Sequence, residues 1–277
     1  MLSDDANLPS RRVEPMAFEV ILVGEDLLAG DVRDDHLRSL ASFARQHGAI
    51  IRRATIVPYD LKAVRDAIAE AESRKPELVV VTGGLGPARR DCTLEAVSDV
   101  YGRPLSSAPL AHRWVDDAYT RLSHKGVVGS AAMNITRDKL CQIPVGSQPL
   151  KNEIGVANGI WLRLAGRPAL LCLPGMPRES EAMLAEVTES IRELRPRHYV
   201  VRREIESPTT DEAALQPLIE KLAREFPEVR FQTRPIASAR KGANVRVIFE
   251  SHGRSEAETN GLVGDAIRRL IALQSGS

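Results

Sequence analysis

The sequence predicts an α/β protein, with a larger domain on a mostly parallel sheet followed by a smaller α+β domain. Three observations carry this. Residues 78–81 are a short apolar, β-branched run of the kind buried on both faces of a parallel sheet, and a glycine-rich loop breaks it. From residue 18 to that run, strand-like and amphipathic helix-like segments alternate in the order of two βαβ units. After Pro196 the order becomes strand, helix, strand, strand, helix, which no longer suits a parallel sheet. The resulting divisions are an amino-terminal arm (1–16), a larger domain (17–195) and a smaller one (196–277).

Taken in order, residues 18–23 are a first strand that stops at Gly24, followed by a polar loop to Gly30. Leu37, Leu40, Ala41 and Ala44 recur at helical spacing, and Gly48 closes that helix. Residues 49–57 form a second strand. Asp60 can cap the next helix, whose inward stripe is Leu61, Val64, Ala67, Ile68 and Ala71. Beyond the glycine loop, helices are expected over 94–101 and 110–124, and a Gly/Pro-rich connection follows 140–145. Strands 160–164 and 169–173 flank the turn Ala165-Gly166-Arg167-Pro168. Pro177 then opens a helix reaching Glu193, with Glu179 and Glu181 suited to its dipole.

The bulk composition is that of an ordinary soluble chain: 277 residues, 43% hydrophobic, 27% charged, net charge +1. Neither half carries the charge of a cationic nucleic-acid domain. Cys92, Cys141 and Cys172 lie far apart, which argues against a disulfide scaffold or a structural zinc and fits a reducing compartment. Buried thiols account for at least two of them. No apolar run approaches a membrane span, and residues 1–15 lack a secretory signal's apolar segment. A flexible arm on a cytoplasmic protein is expected.

Ligands of parallel sheets bind beyond the carboxyl ends of the strands, where three polar loops should converge: 24–30, 57–60 and 82–91. In Thr82-Gly83-Gly84-Leu85-Gly86-Pro87 the glycines let the backbone turn sharply and approach a ligand. Arg89, Arg90, Asp91, Thr93 and Glu95 follow, and Asp91 or Thr93 could cap a helix aimed at the loop. The chemical reading is a phosphate or pyrophosphate cradle beside a carboxylate; taken alone, the spacing suits an ordinary strand–loop–helix turn equally well. Neither a P-loop nor a Gly-x-Gly-x-x-Gly fingerprint is present. Pro174-Gly175 makes a second strand–helix junction with exposed N–H groups, or plain punctuation. His36, near the crevice, is either a ligand contact or a solvated helix residue. The other histidines lack metal-ligand spacing.

The 82–87 loop with Asp91, Thr93 and Glu95 resembles the signature of the molybdopterin-binding (MoaB/MogA) superfamily. Three further blocks, 24–30, 152–160 and Leu173-Pro174-Gly175-Met176-Pro177-Arg178-Glu179, draw it towards the amino-terminal region of the competence-damage-inducible protein CinA family. The resemblance implies a cytoplasmic three-layer domain that forms homo-oligomers (dimer or trimer). Its ligand would be a small phosphorylated nucleotide or pterin, with phosphates on Thr82, Gly83, Gly84 and Gly86 and contacts from Arg89, Arg90, Thr93, Asn152, Gly155, Pro174 and Gly175. The activity implied is divalent-metal-dependent (Mg, Mn or Co) hydrolysis of ADP-ribose-like pyrophosphates. The alternatives are molybdopterin binding or adenylylation, and a non-catalytic nucleotide-binding module. Asp91 and Asp26 are the implied catalytic residues, and Asp91, Asp26 and Glu179 the metal ligands. Departures from the family pattern are Gly24-Glu25-Asp26 for Gly-Asp/Asn-Glu, Asp34-Asp35-His36 for Asp-Thr-Asn, Asn158-Gly159 for Pro-Gly, and Tyr59 where an acidic residue is common.

The smaller domain resembles the KH-like domain that follows the CinA amino-terminal region. Its expected elements are strand 198–205, helix 211–226 capped by Thr209 or Thr210, strands 229–233 and 244–250, and helix 256–272. A nucleic-acid-binding KH domain needs an exposed Gly-x-x-Gly loop, whereas Gly261-Leu262-Val263-Gly264 falls inside the last helix. Packing or dimerisation is expected there, and Arg234, Arg240, Lys241 and Arg246 are a solvated or weakly basic patch. The nicotinamide mononucleotide deamidase domain of some CinA proteins has no counterpart in these residues, so that activity is expected to be absent.

Overall fold

A computed structural model describes residues 14–194, 198–209, 211–236 and 245–275. The proposed arm lies almost wholly outside these, as do Thr210, Arg240, Lys241 and Asn244. The chain divides into two compact units, one of Met16–Ala44 with Ile50–Pro196, the other built on Arg197–Ser277 with Arg45–Ala49.

The larger unit holds a six-stranded sheet. Its strands are β1 (Met16–Val23), β2 (Ala49–Val57), β3 (Leu78–Thr82), β6 (Gln148–Leu150), β7 (Gly159–Leu162) and β8 (Ala169–Leu173), ordered β2-β1-β3-β8-β7-β6. β1 pairs parallel with β3, and β3 with β8, in the register Leu22↔Thr82↔Leu173. β7 and β6 continue antiparallel, so 165–168 is the expected hairpin turn. Every residue of β1, β3 and β8 is buried, as helices on both faces require.

On one face, Ile21, Val79, Val81 and Cys172 pack with Val64 and Ile68 of α3 (Leu61–Ser73), Ala96 and Val97 of α4 (Thr93–Tyr101), and Val115 of α5 (Pro109–His124). The alternate residues Val20, Leu22 and Val80 are equally buried. Outside that cluster, α2 (His36–Gln46) and α7 (Pro177–Leu184) bury Leu40, Ala44 and Met183. This is the expected three-layer arrangement. All three cysteines are buried and free. Burial pushes the Cys141 thiol up to about 11.

Several local expectations change. The 24–30 loop contains a short helix, α1 (Glu25–Ala29), whose acidic first turn suits the dipole and which Gly30 closes at φ 78°. Residues 105–144 contain a small hairpin-like pair, β4 (Leu105–Ser107) with β5 (Gln142–Pro144), and a helical turn α6 (Ile135–Asp138). The helix from Pro177 ends at Leu184, where a tighter Glu186-to-Met183 bond closes it, and α8 (Thr188–Arg192) restarts. Asp60 does cap α3, its Oδ1 accepting from Ala63 N at 2.8 Å. Asp60→Ala should therefore lower stability by about 1 kcal/mol in urea unfolding.

The smaller unit has one antiparallel sheet, β10-β11-β9, from β9 (Tyr199–Ser207), β10 (Val229–Pro235) and β11 (Val245–Gly253). Helices α9 (Glu212–Glu225) and α10 (Glu256–Ser275) cover it with Leu215, Leu222, Val263, Ala266 and Leu270. Asp211, rather than Thr209, caps α9 by accepting from Ala213 N at 2.9 Å. Gly261 and Gly264 lie within α10, so they form no exposed loop. Arg246 pairs with Glu204 and Glu206 across the sheet, at 3.4 and 3.7 Å.

Candidate functional site

The carboxyl end of β3 organises the larger unit's crevice. Thr82 is buried, and the chain then turns through Gly83 (φ 92°) and Gly84 (φ 68°). This path is pinned three ways. Gly83 N donates to Leu173 O at 2.9 Å, Thr93 Oγ1 donates to Gly83 O at 2.7 Å, and Thr93 N donates to Gly84 O at 3.1 Å. Thr93 thus ties α4 to the loop instead of capping it. Nor does Asp91 cap α4: its Oδ2 accepts from Ala88 N at 2.9 Å and packs over Gly86, where a Cβ would come within 2.6 Å of it. Helix α4 starts from Cys92 with no side-chain cap.

Lys139 was not singled out by the sequence reading, and nothing in its neighbourhood marks it. Its Nζ donates to the carbonyls of Ala88 (2.9 Å) and Asp91 (2.5 Å) and lies 3.4 Å from Glu95 Oε1. It clamps the segment that carries Asp91. Beside it a cavity of about 290 Å³ is lined by Gly84, Leu85, Asp91, Leu94, Glu95 and Lys139, among others.

Tyr59 sits where the carboxylates gather. Burial first, then the negative charge of Asp91, hold its phenol above the ordinary value; Asp26 and Glu25 add to this, and Arg90 opposes it. The Arg90 guanidinium lies 4.9 Å from the Tyr59 ring centre. Asp26, Glu25, Asp91 and Arg90 are therefore each within electrostatic reach of the Tyr59 phenol. Arg89 is exposed.

Glu179 belongs to a different group. It is 8% exposed, accepts from Asn152 Nδ2 at 2.7 Å, and stands directly over Gly155, leaving no room for a Cβ there. Asn152 Oδ1 in turn accepts from the N–H groups of Ile154 and Gly155 at 3.0 and 2.7 Å, so the pair shapes the 152–158 loop. Among the described residues no three His, Cys, Asp or Glu side chains form a metal-holding group. Of the expected set, Asp91 and Asp26 act on Tyr59, whereas Glu179 bonds Asn152 through one carboxylate oxygen. Asp91 stands on the glycine loop and Asp26 is exposed in α1; carboxylate oxygens of this kind are what a hard ion of Mg²⁺ type would take, though two of them make no all-protein cage. Pro174 and Gly175 do reach the glycine loop: a Cβ on Gly175 would lie 3.4 Å from Gly83 Cα.

The arrangement defines a class: a three-layer α/β domain with a glycine-loop crevice flanked by carboxylates. Residues 19–193 match the family described as "Probable molybdopterin binding domain" (MoCF_biosynth), and the chain belongs to that family. Protein PH0439 of Pyrococcus horikoshii is 35% identical over 217 residues, 78% of this chain and 83% of that protein. Protein TK1472 of Thermococcus kodakarensis is 31% identical over 91% of this chain and 98% of its own. Among solved structures, the protein CinA of Thermoplasma acidophilum, titled as of unknown function, is similar with TM-score 0.56 and 28% identity. That similarity covers 63% of this chain and 98% of the other. Among the described residues no helix is long and apolar enough to cross a membrane.

Proposed function

We propose that the crevice binds a small pyrophosphate-containing nucleotide of the ADP-ribose type and hydrolyses its phosphoanhydride. The observation that carries this reading is Asp91, held by Ala88 N and packed on Gly86 just after the left-handed turn of Gly83 and Gly84, with Asp26 also within electrostatic reach of the neighbouring Tyr59. Asp91 and Asp26 would hold a divalent ion, which when bound supplies positive charge for the phosphate oxygens. The chain's own residues do the rest. Thr82 to Gly86 hold the phosphates close to the backbone, and Arg90 and the exposed Arg89 neutralise their charge. One Asp91 oxygen is engaged by Ala88 N, and the other is left to orient water and take its proton. Water oxygen bonds to one phosphorus, the bridging P–O bond breaks, and two phosphomonoesters leave. Homo-oligomerisation and a cytoplasmic location belong to the same proposal.

A second reading, molybdopterin binding or adenylylation, is favoured by the family to which residues 19–193 belong. It makes a pterin the ligand of the same loop. Loss of molybdoenzyme activity on deletion would favour it, and unchanged activity would count against it.

The decisive assay incubates the protein with ADP-ribose and Mg²⁺, Mn²⁺ or Co²⁺ and measures AMP. Turnover is expected, with a loss on the order of a hundredfold or more in Asp91→Asn. No AMP above the Asp91→Asn background would refute hydrolysis, and saturable binding without turnover would leave a binding module.

A further inference from the structure

His36 opens α2 yet is only 7% exposed, and its Nε2 lies 2.9 Å from the carbonyl oxygen of Gly175. A carbonyl only accepts, so Nε2 carries the proton and donates. The ring is therefore neither a solvated helix residue nor free to offer that nitrogen to a ligand. The backbone of His36 is anchored as well, because Asp34 Oδ1 accepts from the N–H groups of His36 (2.9 Å) and Leu37 (3.3 Å). The preceding carbonyl of the turn, that of Pro174, accepts from the buried hydroxyl of Ser180 at 2.7 Å.

Two consecutive carbonyls of this turn are thus fixed by side chains. A trans peptide is planar, so its N–H points opposite to its C=O. Holding these carbonyls also directs the N–H groups of Gly175 and Met176, which face away from Ser180 and His36. The turn in turn backs the glycine loop, through the close approach of Gly175 to Gly83 and the Gly83-to-Leu173 bond.

We propose that His36 is a positioning residue of the ligand site. Its bond to Gly175 holds the 174–175 turn, and through it Gly83, in the arrangement that receives the ligand's phosphates. The inference rests on the phosphate-binding reading given above. What the site requires is an N–H at the reach of Nε2, not an imidazole as such. Glutamine offers one at nearly the same reach; asparagine is too short.

The test compares wild type with His36→Ala, His36→Asn and His36→Gln in the full chain. Affinity for ADP-ribose with Mg²⁺ is measured by calorimetry, and backbone amide hydrogen exchange is measured without ligand. His36→Ala and His36→Asn should weaken binding about tenfold and speed exchange over 82–86 and 173–178, because the Gly175 carbonyl loses the side chain that fixes it. His36→Gln should restore both to within about threefold. Rescue by glutamine alone is the result a general packing defect would not give. Unchanged affinity and exchange in His36→Ala, or a glutamine variant no better than alanine, would overturn the role. If the wild type binds no ADP-ribose, the phosphate reading fails, and the exchange comparison still decides whether His36 holds the turn.

Discussion

Gly83→Ala is expected to cost about 3–5 kcal/mol and to abolish ligand binding, because two penalties coincide at one Cβ. The first is conformational: Gly83 sits at φ 92°, where an L side chain is strained. The second is steric, since the new Cβ would run into the carbonyl oxygen of Val23. That oxygen belongs to the end of β1, a central strand buried along its length, so it cannot move aside cheaply. Relief would have to come from Gly83 itself, which would break its bond to Leu173 and the Thr93 bond to its carbonyl. Gly30→Ala separates the two terms. Gly30 has φ 78° but nothing within 4 Å of its Cβ position, so only about 1 kcal/mol is expected there. Urea unfolding of both variants, with ADP-ribose titration, checks this. Equal, small losses would show that the approach of β1 to the glycine loop is not rigid.

The frame of the larger domain was legible because period and punctuation agree with tertiary packing. The all-buried run 78–81, the Asp60 cap and the turn at 165–168 each have a local cause that survives in the fold. The short elements between 105 and 144 were not legible, since three- and four-residue pieces carry no measurable period. In the site, the glycine loop and Asp91 were readable from residue type and order. Asp91 or Thr93 could cap α4 for a sound local reason, but a loop carbonyl takes the Thr93 hydroxyl and a loop N–H the Asp91 carboxylate. Glu179 is a ligand candidate only through the resemblance of its block; its bond from Asn152, 27 residues away, is a property of the folded chain alone. Lys139 and the His36–Gly175 bond are long-range for the same reason. So is the pairing of Arg74 with Glu19, a carboxylate buried on β1.

Tyr59→Asp should raise divalent-metal affinity on the order of tenfold and increase turnover of ADP-ribose. Members of the resembling family commonly carry an acidic residue at this point, and here a phenol stands among Asp91, Asp26 and Glu25. Its raised pKa keeps it neutral at pH 7, so it supplies neither charge nor a base. Aspartate would add a carboxylate beside Asp91 and Asp26, the two proposed metal ligands, moving them from a pair reliant on ligand phosphates towards a set able to bind the ion first. The cost is repulsion among carboxylates in the metal-free protein, offset in part by Arg90, which loses its ring contact and gains an anion. Two signatures follow. The metal-free variant should unfold more easily than wild type, and millimolar Mn²⁺ should restore stability, whereas it should do little for wild type. Tyr59→Phe is the control, since it removes only the hydroxyl and should bind Mn²⁺ as wild type does. If Tyr59→Asp gains neither affinity nor turnover, the crevice is organised for binding rather than chemistry. Asp91 would then be part of the loop's architecture, holding Ala88 and packing on Gly86, and the phosphate cradle would remain the site's whole function.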